Sequence, residues 1–481
     1  MARLGAGVVT TLLAATPAVA QDAGVLALLT LLRDKGTISS QEFEELRKAM
    51  TPVQSTPTAA TAGAPALSAP TATPGVEARL AAQEKELAAL RKRTDGTSPA
   101  LVNEALAGKW YERIRLRGYT QFRYSEVLDT SGAVVEVPAD RSVNENETFG
   151  IRRGRFVFSG DVSKHLFLYA QSDFNGSVGT GDFALQMRDL YADISLNKSK
   201  SFRIRAGQSK VPFGFVNMQS SQNRLTAERP DALNSAVEGE RDLGIYAMWA
   251  SPVARQRFKD LVDKGLKGSG DYGVVAAGAY SGQGLNRPDV NGQPHVVGRV
   301  SYPFARKGGQ MVELGVQAYH GRFVPGTQAI TSGGSTFTPT LAATGALDQR
   351  VAGTFVWYPQ PIGLETEWTF GRGPALSDNL RTIETKQLKG GYVLASYRHV
   401  GRSVSMPFVR WNYFDGNRKF ARNAPREKVN EVDFGLEWTP WSEVELTATY
   451  TRTIRRTRTS AYPLVDATGA DRLGFQLQWN Y

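Results

Sequence analysis

From Trp110 to the C-terminus, apolar and polar residues alternate with a period of two in about sixteen separate runs. Their centres lie near Leu116, Phe156, Leu168, Tyr191, Ile204, Ile245, Ala277, Gly298, Val316, Phe355, Glu367, Leu394, Val409, Leu436, Thr447 and Phe475. A period of two places successive side chains on opposite faces, so each run predicts a strand with one apolar and one polar face. The connections alternate in length. Short ones such as "SGDVSKH", "NKSKS", "YPQPIG" and "WTPWSE" are interleaved with long ones at residues 126–147, 211–240, 282–294, 323–346, 372–387, 416–428 and 456–469. An even strand count, short turns at one rim and long loops at the other predict an antiparallel transmembrane barrel of sixteen strands. One connection, "SPVARQRFKDLVDKGLKGSGD", is long on the short side and predicts a small periplasmic helix.

Alternation alone does not separate a barrel in lipid from a sandwich in water. The last run does more: in "LGFQLQWNY", Leu473, Phe475, Leu477, Trp479 and Tyr481 share one face, with Gly474, Gln476, Gln478 and Asn480 on the other. Trp357, Tyr358, Trp438, Trp441, Trp479 and Tyr481 sit beside short turns, where half-wet rings favour the headgroup level. No later stretch approaches the roughly 18–20 apolar residues of a membrane helix.

The first 109 residues follow other patterns. Residues 1–20 carry Arg3, an apolar run and Ala18-Val19-Ala20, the layout of a secretory signal. Residues 21–50 predict a short helical hairpin, and the Pro-, Ala- and Thr-rich stretch 51–75 an extended linker. Over 76–109, Val76, Leu80, Gln83, Leu87 and Leu90 follow the spacing of a short coiled coil, which hints at an oligomer. The chain has no cysteine, so an exported protein of this kind must rely on burial and backbone pairing.

Charge then gives the inner face its character. The formal net charge is +11, almost all of it beyond residue 110. With apolar residues towards lipid, "RIRLRGYTQFRY" turns Arg113, Arg115, Arg117, Tyr119, Gln121 and Arg123 inward, against Ile114, Leu116, Phe122 and Tyr124 outward. By the same parity Arg153 and Arg155 face inward beneath Phe156 and Phe158, and Arg203 and Arg205 beneath Phe202 and Ile204. An arginine facing lipid at the midplane would cost about 2–4 kcal/mol, whereas a water-filled interior accepts it. The guanidinium fork meets phosphate or carboxylate with two parallel hydrogen bonds, and a ladder of weak sites releases an anion as readily as it admits one.

Several stretches resemble the phosphate-selective porins O and P: "GQSKVPFG" (207–214), "AERPDA" (227–232) and "ERDLGIYAMW" (240–249) above all. "RIRLRGYTQFRY", "GIRRGRFVFSGDV" and "YSGQGLN" add to them. The resemblance implies a trimeric sixteen-stranded barrel of the Gram-negative outer membrane, with a long loop folded into the pore and an arginine ladder passing small anions such as phosphate. It implies that the loop is 211–240, that Ser220, Ser221 and Arg229 sit at the eyelet with Lys210 nearby, and that Arg152 and Arg153 are the paired arginines of the second strand. The loop itself departs from a purely cationic constriction, since Glu228, Asp231, Glu238 and Glu240 outnumber Arg224 and Arg229.

The basic stretches "NRKFARNAPREK" (417–428) and "IRRTRT" (454–459) suit either anion funnelling or contact with lipopolysaccharide phosphates. A general, weakly selective pore and an envelope-tethering barrel are the alternative functions. An enzyme would need a placed nucleophile and base. The four histidines, His165, His295, His320 and His399, stand in no such motif, and no metal, cofactor or nucleic-acid signature is present.

Overall fold

The computed structural model describes residues 110–131, 149–175, 184–457 and 466–481. The expected signal, helical hairpin, linker and coiled coil at 1–109 lie outside the described residues. A 3-10 turn, Trp110–Arg113, leads into sixteen long strands. These are β1 Arg115–Ser131, β2 Phe149–Asp161, β3 Leu166–Asn175, β4 Ala184–Ser195, β5 Phe202–Lys210, β6 Arg241–Trp249, β7 Val275–Tyr280 and β8 His295–Ala305. The second half comprises β9 Met311–Phe323, β10 Ala346–Trp357, β11 Ile362–Leu376, β12 Ile383–Tyr397, β13 Val404–Asn417, β14 Arg426–Trp441, β15 Val444–Thr457 and β16 Asp466–Asn480. Every expected centre falls in its own strand, in order. Each strand pairs antiparallel with the next, and β16 returns to β1 from Tyr119↔Asn480 to Ser131↔Gly469, which closes the sheet and leaves no long edge.

The two faces are sorted the opposite way from a soluble protein. Outside, Leu185, Leu243, Val316 and Phe370 are 58–71% exposed; inside, Arg153, Arg155, Asp173, Asp189 and Asp193 are buried. An exposed apolar belt around a charged interior is stable only against hydrocarbon, so the exterior is a lipid-facing surface. On β16, Phe475, Leu477 and Trp479 face out, as does Tyr481 just after it, while Gln478 is buried inside, as the alternation requires.

Three expectations change. The loop expected at 372–387 is largely strand, because pairing continues through Leu376↔Ile383, and those expected at 416–428 and 456–469 begin and end in strand, with pairs at Asn417↔Arg426 and Thr457↔Asp466. Beyond the membrane both faces are wet, so the apolar alternation fades while the hydrogen-bond ladder continues. Tyr358 is turned inward, donating its hydroxyl to Glu313 at 2.6 Å, and is no part of an outer aromatic belt. Arg113 belongs to the 3-10 turn before β1; it is exposed and donates to the Val162 carbonyl at 2.7 Å, so it does not line the lumen.

The 211–240 connection folds into the barrel, carrying the single turns α1 Phe215–Met218 and α2 Asp231–Asn234. Its Val211, Phe213, Val216, Leu225 and Leu233 form one buried cluster with lumen-facing Tyr246, Tyr319, Tyr392, Phe408 and Phe414. This packing fills the interior along β6–β14. At the short-turn end the anomalous connection is indeed helical: α3 Pro252–Asp263 starts at Ser251, whose hydroxyl caps Ala254 N, with Pro252 at its first position. Its Leu261 packs with Phe215 of the loop, and Phe258 with Ala250 and Val274.

The β1–β16 seam depends on one residue without a side chain. Gly118 N donates to the Tyr481 carbonyl at 2.6 Å and Tyr481 N returns the bond at 3.0 Å. A Cβ at Gly118 would lie 2.2 Å from the Arg155 carbonyl and 2.4 Å from the Tyr481 ring. We expect Gly118→Ala to destabilise the barrel by about 1–3 kcal/mol through overpacking. The urea midpoint, followed by the heat-modifiable gel shift of the folded barrel, measures it; an unchanged midpoint would show that the seam tolerates a side chain.

Candidate functional site

Strand parity should send Arg152 outward if Arg153 faces in. It does not, because the β1–β2 register passes from Gln121↔Arg153 to Phe122↔Ile151 and skips Arg152. This bulge turns two consecutive arginines to the same side. A second shift, from Gln171↔Asp189 to Ser172↔Met187, does the same for Arg188 and Asp189 on β4.

Arg152 and Arg153 converge on one carboxylate of the inserted loop. Glu228 accepts from Arg153 Nη2 at 2.9 Å, Arg152 Nε at 2.9 Å and Arg123 Nη1 at 2.8 Å. A second acid, Glu240, ends the loop among Arg224 and Arg229, both at 3.2 Å, with Lys210 at 3.7 Å and Arg241 in close contact. Burial by itself would raise both carboxyls, yet the surrounding guanidiniums, with Lys210 at Glu240, hold each well below the usual carboxylate range.

The remaining anchors reach the opposite wall. Glu367 accepts the amides of Phe215 (2.7 Å) and Val216 (3.3 Å) at the start of α1. Arg350 holds the Ala232 and Ser235 carbonyls, Arg410 the Glu228 carbonyl at 2.7 Å, and Arg455 the carboxylate of Asp231 at 3.2 Å. Strand parity already marks Arg350 and Arg410 as charges opposite apolar neighbours, but attention to arginine-dense stretches alone passes over them. Glu228 and Glu367, the acids that receive the cations and the loop amides, are invisible to a search for anion ligands.

The other expected residues are placed as follows. Arg155 meets Asp173 (3.2 Å), the Tyr119 hydroxyl (2.8 Å) and Ser221 Oγ (2.8 Å), so Ser221 belongs to the loop's docking contact. Arg203 pairs with Asp271 at 2.7 Å and Arg205 with Asp193 at 2.7 Å. Lys210 Nζ donates to the carbonyls of Met218 (3.0 Å) and Gln219 (2.7 Å), and Arg229 to Asn217 (3.1 Å). Arg115 is exposed at the rim. Arg117 is exposed and has no hydrogen bond or ion pair to any described residue. In the basic stretch 417–428, Lys419 is buried on Asp348 among the rings of Tyr319, Phe323 and Phe420, and burial lowers its ammonium to about 8.

Two cavities flank the inserted loop on the β1–β6 side. One, of 310 Å³ towards the long loops, is lined by Arg152, Arg153, Arg155, Arg188, Arg229 and Arg287 with Glu238 and Glu240. The other, of 250 Å³ towards the short turns, carries Arg117, Arg205, Lys210 and Arg241 with Asp189 and Asp271, and Ser220 on its loop side.

Removing the charge of Glu228 leaves three guanidiniums facing one another in a buried site. We expect Glu228→Gln to cost about 3–5 kcal/mol of loop docking, the usual range for breaking a buried pair. Faster amide exchange over residues 221–232 would report it. The pH dependence has a definite sign: a carboxylate held below its unfolded value contributes fully at neutral pH and loses that contribution as the pH falls below about 4. The urea midpoint of the unmodified barrel should drop in that window more steeply than that of Glu228→Gln; parallel profiles would exclude Glu228 as a docking charge.

The model of the family described as "Phosphate-selective porin O and P" matches residues 133–481. No curated protein matches the chain. Among solved structures, the outer membrane channel DcaP of Acinetobacter baumannii is similar, with 13% identity, 76% of this chain and 97% of that chain covered, and a TM-score of 0.46. An anion-selective porin from Comamonas acidovorans has 11% identity, 76% and 99% coverage and a TM-score of 0.43. OmpT of Vibrio cholerae in its trimer form gives 12%, 76% and 99%, and 0.46. At these similarities nothing about cargo passes from them to this chain. The barrel closure, the inverted faces and the matched span together place the chain in the phosphate-selective porin O and P family, as an outer-membrane β-barrel channel rather than an enzyme.

Proposed function

We propose that the barrel passes small anions, phosphate among them, by passive diffusion along the β1–β6 wall, past the constriction formed by the 211–240 loop. The observation that carries this reading is the excess of cations in both flanking cavities. Six arginines face two glutamates on the long-loop side, and three arginines with one lysine face two aspartates on the short-turn side. Like charges lining a narrow, low-dielectric passage raise the local anion concentration without trapping any one ion. Family membership further implies a homotrimer in the outer membrane, in contact with lipid and lipopolysaccharide.

The pairing of most lumen cations favours broad anion preference over strict phosphate selection. Arg123, Arg152 and Arg153 already share Glu228, and Arg205 is matched by Asp193. Their charge acts through the net field, while few guanidinium forks stand free to grip a phosphate.

Reversal potential in a KCl gradient tests the reading: the unmodified channel should prefer chloride, and a preference for potassium would overturn it. Arg117→Glu should weaken or reverse the anion preference without dismantling the loop, because Arg117 supports no described residue. Arg153→Glu is less clean, since it also breaks the Glu228 contact.

A further inference from the structure

We propose that the short-turn cavity is a binding chamber for aromatic carboxylates, so that the channel's anions include ones with a flat apolar body; this rests on the anion reading above. An inorganic anion needs cations and amides, and has no use for ring faces. Yet this cavity is lined by four tyrosines, Tyr119, Tyr169, Tyr191 and Tyr272.

The rings form an ordered wall. Tyr169 and Tyr191 are directly opposed across β3 and β4, with centroids 5.0 Å apart and planes 13° from parallel. The Arg205 guanidinium lies 3.9 Å from the Tyr191 ring centre and 5.4 Å from that of Tyr272. Asp193 grips Arg205 with two bonds, of 2.7 and 2.9 Å, so its charge is matched while its planar face extends the stack. The result is a stacked column of two tyrosines, a guanidinium and a third tyrosine, all of them lining the cavity and giving it the aromatic surface that suits a planar ring.

The chamber's charges isolate one cation for the ligand's anionic group. Asp189 is taken by Arg241 at 3.0 Å, and Asp271 by Arg203 and Arg255 at 2.7 and 2.9 Å. Lys210 spends its protons on the Met218 and Gln219 carbonyls. Arg117 alone among the lining cations has no partner among the described residues, and its fork fits a carboxylate. At 250 Å³ the space lies just below the range of about 300–1,000 Å³ typical of drug-sized ligands, which suits a single ring with its waters.

The test is block of single-channel KCl current in planar bilayers by sodium benzoate against sodium acetate at equal ionic strength. Benzoate should reach half-block at a concentration at least about threefold lower than acetate, the modest margin that ring stacking gives. Tyr169→Leu with Tyr191→Leu should erase that margin and leave the KCl reversal potential unchanged, whereas Arg117→Gln should weaken block by both anions. Tyr272→Leu, outside the strands, gives a second reading on a barrel whose wall is intact; it should narrow the margin even if the double variant does not fold. Equal block by the two anions in the unmodified channel would overturn the proposal while leaving chloride preference standing, and so would a margin that survives the loss of the rings. Potassium preference in plain KCl would instead remove the anion reading and this one with it.

Discussion

The interior of this barrel is organised by two buried carboxylates, Glu228 and Glu240, each ringed by cations of the wall and the loop. A charge taken out of water must be matched, and an unmatched one inside a closed sheet would cost more than the loop's apolar contacts restore. That requirement fixes where the loop can lie. With Glu228 on the β1–β2 arginines and the amides of α1 on Glu367, the loop crosses the lumen, and its apolar face meets the tyrosines and phenylalanines of β6–β13. The two larger charged cavities that remain lie along β1–β6.

The architecture was legible because lipid imposes a rule that a sequence cannot hide. Each crossing strand must alternate, and the even count and the alternation of turn lengths follow from closure. All sixteen strands could therefore be located, although not their ends, since alternation fades once both faces are wet. Tyr358 misled for a related reason: its place beside a short turn fits an interfacial ring, and only its bond to Glu313 shows that it points inward.

The site was legible in part. Parity gave the direction of Arg117, Arg123, Arg153, Arg155, Arg203 and Arg205 correctly, but parity assumes an unbroken register. The bulges at Arg152 and Arg188 break it, and nothing in "GIRRGRF" or "LQMRDLY" says which neighbour the ladder skips. Parity also says nothing of partners. Asp173, Asp189 and Asp193 alternate inward just as the arginines do, so the ladder that looked purely cationic is interleaved with acids of the next strands.

Direction and availability are therefore separate properties, and the second decides function. A guanidinium committed to a carboxylate has its charge largely cancelled at a distance by its partner, and with its donors spent it gives little to a passing ion at close range. Replacing it disturbs structure first and selectivity second. An unpaired guanidinium in the same wall has the reverse signature: it adds nothing to loop docking, and its whole charge and all its donors face the passage. The row Arg113, Arg115, Arg117 and Arg123 divides along these lines, with Arg113 outside the wall, Arg115 at the rim, and Arg123 spent on Glu228. Of that row Arg117 alone lines a cavity without a partner among the described residues, beside the tyrosines, so on the proposed reading the chemistry of passage rests on the position of a few free groups rather than on how many arginines the strands carry.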